Sequence, residues 1–127
     1  MEAWLPAPLD AGRVSLRRPG PDDLAGLVAL LTDGEVRRYL GGPVERRTAE
    51  RRAVRLVSEP AWGQFVIVDR VTDELVGSDD LSRKRGPWEI SYQLSYQLRP
   101  SSWGMGLASE TLSAVLDWYF ATMGEDF

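Results

Sequence analysis

Apolar positions change period several times along this chain, and each change predicts an element. Val14 and Leu16 alternate with polar neighbours over 13–18, which predicts a short strand ended by Pro19-Gly20-Pro21. Leu24, Leu27, Val28 and Leu31 then recur at i, i+3, i+4 and i+7. Asp22 and Asp23 stand where the free amides of a first turn favour negative charge, so a helix follows. Thr32-Asp33-Gly34 stops it, and residues 35–40 predict one or two further turns before Gly41-Gly42-Pro43. Residues 45–57 predict a second helix with a thin apolar stripe of Ala53, Leu56 and Val57.

The period then shortens to two. Phe65-Val66-Ile67-Val68 is a β-branched run suited to a central strand, and Thr72-Asp73-Glu74 turns it into a partner that continues from Leu75 to Leu81. A second turn, Lys84-Arg85-Gly86-Pro87, leads to a third strand, so the middle of the chain predicts an antiparallel meander. That third strand contains Ser91-Tyr92-Gln93-Leu94 followed at once by an identical Ser95-Tyr96-Gln97-Leu98. Four is even, so the repeat lengthens the strand without moving any side chain to the other face. From Trp88 to Leu98 it would reach roughly 36 Å, so either it overhangs its neighbours or a bulge absorbs the excess. After a loop over 99–104, a long helix is predicted from Met105 to Met123, with Ala108, Leu112, Val115, Leu116 and Tyr119 as its apolar face.

Composition narrows the chemistry. At 127 residues the chain is one domain, 1–127, and 43% hydrophobic with 27% charged residues describes a globular protein able to bury a core. It has no cysteine and no histidine, so disulfides, thiolate or imidazole metal sites, Ser-His-Asp triads and a His base are all excluded. Catalysis would rest on carboxylates, hydroxyls or bound water; no metal is expected. The net charge of −4 argues against nucleic acid as a partner, no apolar run is long enough to span a membrane, and residues 1–9 lack the features of a secretory signal. The expected location is cytoplasmic. The charge is uneven, however: 37–57 holds seven Arg and two Glu. That stretch is either a surface for an anion or a solvated helix whose Glu45, Arg46, Glu50 and Arg51 pair along one face.

A strand, a glycine-bearing loop and a helix opening form a general anion-binding device, because the first amides of a helix have no partner within it. Gly104 and Gly106 supply such a loop here. The element order, together with Trp103-Gly104-Met105-Gly106-Leu107-Ala108-Ser109-Glu110, Asp33 to Leu40 and Leu75-Val76-Gly77-Ser78, resembles the GNAT N-acetyltransferase superfamily, particularly its ribosomal-protein N-terminal acetyltransferase-like branch. The resemblance implies an α+β, three-layer α/β domain with a mixed, mostly antiparallel sheet flanked by helices. It also implies acetyl transfer from acetyl-CoA (coenzyme A) to an amine, on a small molecule or a protein N-terminus, by direct attack. On this resemblance Leu98, Arg99, Trp103, Gly104, Met105, Gly106, Leu107, Ala108 and Ser109 would bind the cofactor, the amides of Met105 to Ala108 holding the pyrophosphate and the strand end from Leu98 to Pro100 meeting the pantetheine arm. Glu89 would be the catalytic base. Asp79 and Asp80 are the alternative acids, and since neighbours in a strand point oppositely, at most one of them faces a substrate cleft.

The sequence departs from the family pattern in two ways. The family continues past this helix into a further strand, helix and last strand, so the chain is expected to be C-terminally incomplete and to lack half of the cofactor wedge. The tetrapeptide repeat also lies between Glu89 and Gly106, which in a straight strand displaces Glu89 by roughly 13 Å. A catalytically silent binding or assembly module is therefore the alternative to an enzyme. An uncovered strand edge predicts a homo-oligomer in either case.

Overall fold

The computed structural model describes residues 9–60 and 63–123. The expectations concerning residues 1–8 and 124–127 lie outside them. The strands are β1 (Leu9–Asp10), β2 (Val14–Arg17), β3 (Gln64–Asp69), β4 (Leu75–Arg85) and β5 (Ile90–Leu98). They form one sheet in the order β1-β2-β3-β4-β5, and every pairing between them is antiparallel. Helices α1 (Leu24–Thr32) and α2 (Arg46–Ser58) both lie between β2 and β3 in the chain, and α3 (Leu107–Met123) follows β5.

Alternation on β3 builds the layers. Phe65 and Ile67 join Leu16, Val115 and Tyr119 in a core under α3, while Val66 and Val68 pack with Leu27, Val28, Leu31, Ala49 and Ala53 of α1 and α2. Phe65 and Trp118 meet edge to face at 5.4 Å. The sheet is thus sandwiched between α3 and the α1/α2 pair, the expected three layers. The sheet was expected to be mixed and mostly antiparallel, and among the described strands every pairing is antiparallel.

Local details depart from the sequence pattern for identifiable reasons. The chain enters α1 through a short 3-10 turn, Pro21–Asp23, so Asp22 and Asp23 precede the α-helix. Asp23 is buried and takes two 2.7 Å bonds from Arg17 and one from the Gly20 amide. Glu45 is not in α2 but caps it, accepting from the amides of Arg47 and Thr48, and those bonds lower its pKa. Helix α3 starts at Leu107, two residues later than expected, because Gly104 and Gly106 both have positive φ. Its buried face is Leu107, Thr111, Val115 and Tyr119, and Leu112 is exposed. Thr111 occupies a core position that hydrophobicity alone assigned elsewhere.

The repeat resolves as an overhang. The β4–β5 ladder runs one to one from Gly77 opposite Leu98 to Arg85 opposite Ile90, and the sheet's register shift lies at Ile67/Val68 instead. Because β3 pairs with β4 only as far as Gln64 opposite Asp80, with the Leu81 amide still bonded to the Gly63 carbonyl at 2.9 Å, the last four residues of β4 project with β5 as a two-stranded arm of roughly 13 Å. At its root, Gly77 permits tight apposition: a Cβ there would lie 2.2 Å from the Gln97 carbonyl oxygen.

Candidate functional site

The segment joining β5 to α3 is wound tightly. Ser102 donates to the Arg99 carbonyl at 2.9 Å, Trp103 to that of Pro100 at 3.1 Å, and the Trp103 indole Nε1 to that of Leu98 at 2.8 Å. Gly104 and Gly106, with φ of +75° and +77°, then turn the chain into the helix. The Glu110 amide reaches the Gly106 carbonyl at 3.2 Å, which leaves the earlier amides of Leu107, Ala108 and Ser109 without a partner inside α3. Together with the helix dipole they form an anion-binding end.

Arg13, at the mouth of β2, fixes that end in place. Its guanidinium donates to the Met105 carbonyl and, through Nε at 3.0 Å, to Glu110 of α3, while its own amide points to the same carboxylate at 3.4 Å. The pair is half exposed and contributes little to stability. Its effect is positional, since it couples the glycine turn to the sheet. The sequence separation of 97 residues hides this contact from any local pattern.

Two clefts open on either side of Gln97. One, of about 620 Å³, is bordered by Val36 and Tyr39 from the turns after α1, by Tyr96, Gln97 and Leu98 of β5, and by the residues opening α3. The other, of about 350 Å³, lies between the sheet and the α1/α2 pair, with Gln64, Ser78, Asp80 and Ser95 from the strands and Arg52 and Arg55 from α2. Gln97 lines both, and its Oε1 is buried without a hydrogen-bond partner.

Register separates the two neighbouring acids. Asp80 stands opposite Gln64 and Ser95, on the face of the smaller cleft; withdrawal from water raises its pKa. Asp79 stands opposite Phe65 and Tyr96, with its side chain on the α3 face, although the residue also borders the smaller cleft. It is 4% exposed, neither carboxylate oxygen has a partner, and burial, reinforced by the charge of Asp80, pushes its pKa up to about 7.

The residues singled out from sequence divide accordingly. Leu98, Trp103, Gly104, Gly106, Leu107, Ala108 and Ser109 come together along the larger cleft. Arg99 turns away, donating to Glu74 at 3.0 Å, and Met105 borders a separate surface hollow with Arg13 and Val71. Glu89 is exposed in the β4–β5 turn, where its carbonyl accepts from Gly86 at 2.7 Å. Eight residues of extended chain, roughly 26 Å, separate it from Gln97. Asp80 is a single pleat repeat, roughly 7 Å, from the strand position opposite Gln97. Arg52 and Arg55 belong to the arginine-rich stretch 37–57 that the sequence offers as an anion surface, whereas Arg13 and Gln97 carry no signal beyond residue type.

Comparison with known proteins fits this geometry. The family profile described as an acetyltransferase (GNAT) domain matches residues 13–126. The chain is 29% identical, over 91% of its length, to the uncharacterized N-acetyltransferase YoaA of Bacillus subtilis (strain 168), and covers 68% of that protein. It therefore spans about two thirds of this curated relative. Among solved structures, an acetyltransferase of the GNAT family from Bacillus anthracis superposes with a TM-score of 0.78 at 19% identity, covering 93% of this chain and 69% of that one. A ribosomal-protein-S5-alanine acetyltransferase from Vibrio fischeri superposes with a TM-score of 0.63 at 18% identity, over 92% of this chain and 69% of that one. At these identities the structural likeness establishes the fold.

Proposed function

The chain belongs to the GNAT acetyltransferase family, and from that premise we propose that it transfers an acetyl group from acetyl-CoA to an amine by direct attack. The observation that carries the reading is the meeting of the two clefts at Gln97, one opening onto free helix amides and the other onto a carboxylate. The larger cleft suits coenzyme A. Unpaired amides of Leu107, Ala108 and Ser109 would take the pyrophosphate, the side-chain-free Gly106 lets it approach, and the end of β5 at Leu98 would meet the pantetheine arm. When bound, acetyl-CoA supplies an acyl group on a sulfur leaving group.

The protein's own task is then to present a neutral amine in line and to remove its proton. Asp80 is the carboxylate on the smaller cleft's face and serves as proton acceptor, directly or through a water. Its raised pKa brings it closer to the range in which a base works at neutral pH. Gln97 Oε1, an orphaned acceptor between the clefts, orients the amine by accepting one of its N–H groups.

The acceptor is an amine on a small molecule or a protein N-terminus. Cytoplasmic location and self-association belong to the same reading. Among the described residues no helix is long and apolar enough to cross a membrane, and β5 is a terminal strand of the sheet, so its outer edge is open to a second copy. The test is thiol release from acetyl-CoA with mass spectrometry of the amine product. Amine-dependent thiol release with an acetylated product is expected; thiol release without acetylated amine would overturn the reading.

A further inference from the structure

The arginine-rich stretch 37–57 is not uniformly a face of paired side chains. Arg46 pairs with Glu50 at 3.2 Å, Arg51 donates to Thr48 at 3.2 Å, and the Arg37 guanidinium is held by the carbonyls of Gly42 and Leu40 at 2.8 and 2.7 Å. Arg37 also borders the smaller cleft, but with its guanidinium already held. Arg52 and Arg55 differ. One turn apart on α2, they line the same cleft as exposed side chains with no hydrogen-bond or ion-pair partner among the described residues. The strands facing them bring Asp80 and the orphaned Gln97 Oε1 to the same cleft.

Two unmatched guanidiniums on one wall, with a carboxylate and a free amide oxygen on the other, are complementary to a molecule that is itself divided in charge. An amine at Asp80 and Gln97 would leave the arginines to water alone unless the same molecule carried an anion. Guanidinium forks are well suited to a carboxylate, and a charge-assisted bond of that kind adds about tenfold or more in affinity. A diamine would place its second cation against Arg52 and Arg55 and be repelled. A cleft of about 350 Å³ lies at the small end of ligand pockets, which favours a compact molecule. We propose that the acceptor is a small aminocarboxylate, its amine held at Asp80 and Gln97 and its carboxylate by Arg52 and Arg55. This rests on the acetyl-transfer reading above and specifies the substrate class for it.

The test compares 3-aminopropanoate with propylamine, which lacks the carboxylate, each with acetyl-CoA and the full chain. The expected kcat/KM is at least about tenfold higher for 3-aminopropanoate. That difference should vanish in the Arg52→Gln/Arg55→Gln double variant and persist in Arg47→Gln, a substitution on the same helix outside the cleft. Equal use of both amines overturns the aminocarboxylate assignment and leaves acetyl transfer standing. Should neither amine be acetylated, acetyl transfer is judged by the thiol-release assay above with other amines, and binding decides the cleft separately. Saturable NMR shifts from 3-aminopropanoate that disappear in the double variant support it, and none at tens of millimolar overturns it.

Discussion

At the scale of single residues, Asp79 and Asp80 show how one step along a strand separates two chemistries. Asp79 is a buried carboxylate with no partner, so the folded protein carries a cost whenever it is ionised. Its folded-state pKa of about 7 lies above the ordinary 3.8. The penalty is therefore absent below about pH 4, where folded and unfolded chains both hold the proton. It grows as pH rises and is complete above about pH 7, where the difference corresponds to about 4 kcal/mol. Asp79→Leu should accordingly raise unfolding free energy at pH 8 by a few kcal/mol and much less at pH 4. Urea denaturation at the two pH values measures this, and a variant equally or less stable at pH 8 would mean that the carboxylate has a partner in solution. Asp80 faces the cleft and is expected to matter for turnover instead. Asp80→Asn should lower kcat by about 10²–10⁴-fold, whereas Glu89→Gln should keep more than a tenth of the activity. Steady-state kinetics on both variants decides between them, and the reverse ranking would return the base to Glu89.

At the scale of elements, periodicity carries far because most elements bury one face. The Phe65–Val68 run, the Leu24–Leu31 stripe and the glycine turn before α3 all stand close to where their patterns point. What the pattern could not carry was set by contacts distant in sequence. The face of α3 turns on Thr111 being buried, and the glycine turn is held by Arg13, 97 residues away from Glu110. Which acid lies on the cleft's face of the sheet depends on the β3–β4 register, including its shift at Ile67/Val68. The repeat is the element with the clearest consequence. It extends β5 along β4 without a bulge and carries Glu89 away from the clefts. Deleting Ser91–Leu94 should leave the fold intact, because alternation is preserved and the last residues of β4 can pass into the turn, where added length costs little. In that background Glu89→Gln should cost at least about tenfold more activity than in the full chain. Circular dichroism and kinetics on the four proteins test this, and an unchanged effect of Glu89→Gln would show that distance was not what silenced it.

At the scale of the molecule, a plain antiparallel sheet with helices on both faces becomes a site because of what happens at one end of β5. The strand ends beside Gly77, the chain winds through Gly104 and Gly106, and the free amides of α3 face one cleft while Asp80, Arg52 and Arg55 line the other. On the proposed reading both halves depend on coenzyme A binding in the larger cleft. Isothermal titration with acetyl-CoA measures it most directly. Micromolar affinity is expected for the full chain and at least tenfold weaker binding by a folded Gly106→Val variant, whose side chain fills the space proposed for the pyrophosphate and must adopt an unfavourable positive φ. No binding at millimolar acetyl-CoA, or equal affinity in the folded variant, would contradict that reading.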